Sequence, residues 1–113
     1  MAIEKRTDGQ PKSAIVAALA AELFLKLVVV VDHDVDVFDE PDVLAAVASW
    51  TQADRSLVVV SGAQGSDLDP SSGPAGLAAK LGIDATRPLT GAPPKLVVPR
   101  DVAARIRAED YLP

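Results

Sequence analysis

Apolar positions along the chain alternate between helical spacing and unbroken runs. Ile15, Ala18, Leu19 and Leu23 recur at helical spacing behind Pro11, a residue suited to a first turn, and predict a helix over 11–24. The run LVVVV at 27–31 is continuous and β-branched, the mark of a strand covered on both faces. Asp39, Glu40 and Pro41 supply an N-cap, an early acid and a first-turn proline ahead of Val43, Leu44, Val47 and Trp50, so a second helix is predicted over 40–50. A second buried strand follows at 57–60. The stretch between the two strands holds a helix and is long enough for a crossover, which predicts parallel strands joined in a right-handed βαβ unit.

Beyond Val60 the pattern dissolves into Ser, Gly, Asp and Pro over 61–74, which reads as a long surface loop. A short helix over 75–81 behind Pro74, stopped by Gly82, a third strand at 96–98, and a terminal helix over 101–109 carrying Val102, Arg105 and Ile106 complete the expected order. Residues 1–10 are polar and are expected to form a flexible arm, leaving 11–113 as a single domain. The fold class is α/β, a small parallel or mixed sheet flanked by helices. With both good strands expected to end at one edge, the loops 32–39 and 61–73 would border a ligand site.

Composition narrows the function. A chain of 113 residues with 49% hydrophobic and 24% charged residues is an ordinary globular domain, and one of this size gains from a partner surface. Aromatic residues are 4%, so the core must be aliphatic and base stacking has few platforms. A net charge of −5 repels a phosphate backbone, which argues against nucleic acid as a partner. The absence of cysteine excludes disulfides, thiolate metal sites and Cys nucleophiles and fits a reducing compartment. No apolar run is long enough to span a bilayer, no signal-peptide core is legible, and the expected location is the cytoplasm.

The acidic segment at 32–36, DHDVD, invites a calcium or magnesium reading. The EF-hand pattern fails, because Val37 and Val43 stand where it needs glycine and glutamate. Aspartates that cap a strand end and form Asx turns are the preferred reading. His33 is the single histidine, and Ser61, Ser66, Ser71 and Ser72 lie in no nucleophile elbow, so no hydrolase triad can be assembled. Gly62 and Gly65 follow a strand without a dinucleotide or P-loop pattern; they read as turn residues or as a close approach of backbone to a ligand or partner. From these residues no catalytic, metal or cofactor-binding side chain is assigned.

Several strings taken together resemble one family. PKSAIVAAL at 11–19, KLVVVVDHDVDVFD at 26–39, DVLAAVASW at 42–50, GSDLDPSS at 65–72 and KLGIDATRP at 80–88 are similar, in order and spacing, to the C-terminal domain of the UbiD-type, prenylated-FMN-dependent carboxylases and decarboxylases. In that family the flavin, its metal ions and a catalytic Glu-Arg-Glu network sit in other domains, whose motifs do not occur here. The resemblance implies a small subunit or isolated C-terminal domain, not catalytic alone, that contributes oligomerisation and one wall of a substrate cleft for aromatic or α,β-unsaturated acids. Its implied partners are a flavin-binding large subunit or domain, which would hold the prenylated FMN and metal ions, and further copies of itself. It also implies that Val58, Val60 and Ser61 line the substrate pocket. Two departures stand out: His33 replaces a common acid, and Ser61-Gly62 replaces a common Ile-Pro pair, making the strand end smaller and more flexible. The alternative is a free-standing α/β binding module without enzyme activity. Under either reading self-association is expected, through the terminal helix around 102–106 or the Ala-rich face of the first helix.

Overall fold

The computed structural model describes residues 1–113, apart from the side chain of Ala108. The elements run β1 (Ala2–Ile3), α1 (Gln10–Ala21), β2 (Leu27–Asp32), α2 (Glu40–Trp50), β3 (Leu57–Gln64), β4 (Leu77–Asp84), α3 (Arg100–Ala103) and a short 3-10 turn (Ala108–Asp110). The four strands form one mixed sheet in the order β1-β2-β4-β3. The α/β class, the mixed sheet and its flanking helices agree with the sequence reading.

Alternation along β2 assigns the two faces. Val28 and Val30 pack with Ile15 and Leu19 of α1, whereas Val31, with Val29 alongside, packs with Ala46, Val43, Val47 and Trp50 of α2. The helices therefore lie on opposite faces, and the unbroken valine run is covered from both sides as its pattern requires.

The predicted βαβ unit is overturned in its partners. β2 pairs in parallel with β4, not with β3, and β3 runs antiparallel to β4. The parallel crossover from β2 thus contains both α2 and β3. The predicted helix over 75–81 is instead β4: Gly76, at φ +68°, turns the chain back, and 77–84 fills the slot between β2 and β3. Gly82 does not stop a helix there; it lies under Ile15, whose side chain occupies the space a Cβ would take. Tertiary pairing outweighed local helix signals.

Three further expectations change. Within the arm, Ala2 and Ile3 form β1, pairing in parallel with Val31 and Asp32, because the free edge of β2 offers backbone groups that need partners. Leu96–Val98 form no strand, and their side chains are exposed. The terminal helix shrinks to Arg100–Ala103, since its apolar side chains find no core to pack on.

Candidate functional site

Reversal of β3 separates the two loops that were expected to share an edge. Segment 32–39 follows β2 at the carboxyl edge of the parallel strands, while 61–76 lies at the opposite edge, beside the start of β2.

At the carboxyl edge the backbone ends in a charged lattice. Asp32, buried at the end of β2, accepts hydrogen bonds from the backbone N of Arg87 at 2.9 Å and from its Nε at 3.1 Å. Arg87 Nη2 donates to Asp34 at 2.7 Å. The guanidinium is held in its charged form, first by Asp34 and then, against the cost of burial, by Asp32. Asp84 accepts from Thr86 N at 3.0 Å and from Thr86 Oγ1 at 2.6 Å, and Lys5 Nζ donates to Thr86 Oγ1 at 2.9 Å. Lys5 also pairs with Asp8 at 2.8 Å. The polar opening segment is thereby tied to the edge of the sheet.

Downstream, residues 88–96 return across α2 as a strap. Lys95 Nζ donates to Asp42 at 2.9 Å, and this contact, followed by the backbone N of Asp36, draws the Asp42 carboxyl below its ordinary range. Between strap and helix lies a cavity of about 490 Å³, walled by Ala45, Ala46, Ser49 and Trp50 on α2 and by Pro94 and Leu96 on the strap, with Arg87 and Lys95 at its rim.

The acidic segment behaves as a set of turns. Asp36 Oδ1 accepts from Phe38 N at 2.9 Å, an Asx turn, and Val35 N donates to the Asp32 carbonyl. Asp39 occupies the N-cap of α2, but its carboxylate makes no capping bond. His33 is exposed. Among the described residues no three His, Cys, Asp or Glu side chains converge on a metal-sized space.

At the opposite edge Lys26 Nζ pairs with Asp69 at 2.6 Å and also bonds Ser71 Oγ, and Asp69 accepts from Ser71 N at 2.9 Å. Led by Lys26, these contacts lower the Asp69 pKa to about 2. Nearby, buried Lys80 donates to the Leu23 carbonyl at 2.6 Å, placing a cation against the carbonyls that end α1. Sequence reading missed Lys80, because 75–81 reads locally as a helix and the acceptors Glu22 and Leu23 are distant in the chain.

The three positions carried over as pocket lining all lie on β3. Val58 is half-buried against the α1 core, Val60 and Ser61 are exposed, and the pairing with β4 breaks between Val60 and Ala63, where Gly62 takes φ +64°. They are not brought together with Asp32, Arg87 or the cavity beside Trp50.

Comparison with known proteins assigns this arrangement. Residues 1–85 match the model of the 3-octaprenyl-4-hydroxybenzoate carboxy-lyase C-terminal domain, the C-terminal domain of the UbiD class. The chain belongs to this family. It is 47% identical over 92 residues to the anhydromevalonate phosphate decarboxylase of Methanothermobacter thermautotrophicus, spanning 81% of this chain and 22% of that relative. It resembles the UbiD-class enzyme HmfF from Pelotomaculum thermopropionicum, solved in complex with FMN, with a TM-score of 0.80 and 40% identity over 98% of this chain and 25% of that one. An evolved dimeric form of HmfF in complex with prFMN aligns with a TM-score of 0.65 and 34% identity over 98% of this chain and 22% of that one. The chain thus spans less than a quarter of the decarboxylase it matches, in which this region is one domain of a larger polypeptide.

The UbiD-class complexes with flavin invite a test of the cavity on α2. Its two rim cations are already engaged, Arg87 by Asp32 and Asp34 and Lys95 by Asp42, so a flavin phosphate there would face carboxylates. The residues of this cavity do not fit the cofactor. No helix among the described residues is long and apolar enough to cross a membrane.

Proposed function

We propose that this UbiD-type domain serves as the C-terminal domain, or as a small subunit, of a prenylated-flavin-dependent carboxylase or decarboxylase acting on aromatic or α,β-unsaturated carboxylic acids. The family match over 1–85 carries the proposal, supported by the likeness to HmfF across 98% of the chain. In this role the chain supplies oligomerisation and one wall of the substrate cleft, while flavin, metal ions and reacting groups lie on a flavin-binding large subunit or domain. Val60 and Ser61, exposed where β3 breaks its pairing, are the side chains available to touch substrate, and Val58 anchors that strand to the α1 core. Gly62, in a left-handed conformation, lets the backbone turn there without a side chain in the way. The domain would act by completing and closing a site it does not itself contain.

The experiment is co-expression with the flavin-binding UbiD polypeptide from the same source. Decarboxylation that requires this chain, and that falls when Ser61 is replaced by Trp, is the expected result. Unchanged turnover without the chain overturns the proposal.

A further inference from the structure

The strap that crosses α2 does not lie down on it. It is tethered on both sides of a gap, by Leu89 N donating to Asp8 at 3.1 Å and by Lys95 Nζ donating to Asp42 at 2.9 Å. Between these tethers Pro93 and Pro94 restrict the backbone and carry no N–H that could bond back to the helix. On the helix side Ala45, Ala46 and Ser49 are too short to bridge the space. What remains is the cavity of about 490 Å³, inside the range of roughly 300–1,000 Å³ that small-molecule sites occupy. Ala45 and Ser49 stay exposed, so the cavity opens to solvent.

Wall and rim select different things. The wall is apolar, and Trp50, the single tryptophan of the chain, gives it one flat aromatic surface for a ring to pack on. Water held against such a wall finds few hydrogen-bond partners, so an apolar molecule gains by displacing it. At the rim three carboxylates face two cations, a balance of −1 that opposes an anion. Neither cation is free to recruit one, since Arg87 is held by Asp32 and Asp34 and Lys95 by Asp42. The carboxylates are engaged by the same contacts, and Asp42 accepts from Asp36 N as well, so an ammonium would have to displace a pair already made. Ser49 places an uncharged hydroxyl in the wall.

We propose that the cavity between α2 and the strap binds a small uncharged aromatic alcohol, with its ring against Trp50 and its hydroxyl on Ser49. The apolar wall supplies the affinity, and the self-neutralised rim turns away the charged relatives of the same ring. This site belongs to the chain itself and does not rest on a flavin-binding partner, so it goes beyond the proposed function.

The test uses the purified chain alone, which separates its outcome from that of the co-expression experiment. With one tryptophan present, a single indole N–H signal in the NMR spectrum of nitrogen-labelled protein reports on the wall. Three probes share one ring system and differ in charge: 2-naphthol, 2-naphthoate and 2-naphthylmethylammonium. The naphthol is expected to move the Trp50 signal saturably and to bind about tenfold or more tightly than either ion. Ala45→Phe, which fills the cavity from an exposed position, should weaken naphthol binding about tenfold or more, and Ser49→Ala about threefold, with the remaining backbone signals unchanged. Should Ala45→Phe fail to fold, the probe series and Ser49→Ala decide the matter. Naphthoate or the ammonium binding as tightly as naphthol, decahydro-2-naphthol doing the same, naphthol binding that leaves the Trp50 signal still, or no binding at all would each overturn the proposal.

Discussion

Ile15 of α1 lies directly over Gly82 of β4, with its Cγ2 in the space that a β-carbon on residue 82 would occupy. The glycine is therefore a packing requirement: it lets a fully buried isoleucine sit against the backbone of a central strand.

Gly82→Ala is expected to destabilise the domain by about 1–3 kcal/mol through overpacking. Urea denaturation measures the loss, and in an Ile15→Ala background, which lacks the clashing Cγ2, the same Gly82→Ala substitution should cost less. Equal stability of Gly82→Ala and the native chain would contradict the packing described.

Asp32 organises the carboxyl edge by accepting from both the backbone and the side chain of Arg87. Asp32→Ala removes that acceptor and leaves a partly buried guanidinium with Asp34 alone, at an expected cost of about 1.5–3 kcal/mol. The strap over α2 begins at this residue, so hydrogen exchange of the 88–96 amides should accelerate in the variant. An unchanged exchange pattern would mean the strap is held by Lys95 and Asp42 without help from Arg87.

Asp69 gives a pH dependence of defined sign. Its folded pKa of about 2 lies below the unfolded value near 4, so the stabilisation it provides is complete above about pH 4 and disappears as pH falls through about 2. A carboxyl titration followed by NMR should place its midpoint near the lower value in the native chain, and Lys26→Met should move it upward, since Lys26 is the leading cause of the shift.

The sequence announced those parts of the fold in which local pattern and tertiary role coincide. The valine run of β2 and the proline-started α2 emerged within a residue or two of their predicted limits. β4 was misread because AGLAAKL has the composition of a helix, and only its place between two strands makes it extended. From that one error the other followed: with β4 absent from the reading, β2 and β3 had only each other to pair with, and their loops were set at one edge. Asp32 was legible as a strand-end aspartate, but its partner Arg87 lies 55 residues away, and no local pattern links them. Lys80 was invisible for the same reason, since its acceptors belong to the end of α1.

The strand at the centre of the sheet is also the last to leave the ribosome. β2 and β3 are not hydrogen-bonded to one another but are joined only through residues 77–84 between them, so a nascent chain carrying everything up to Gly76 lacks the piece that joins its halves. Assembly must wait for long-range closure, a slow step by the ordinary dependence of folding rate on topology. During translation the exposed valines of both strands are open to holdase chaperones, and interrupted synthesis leaves a sticky fragment where a few more codons would have produced a finished domain.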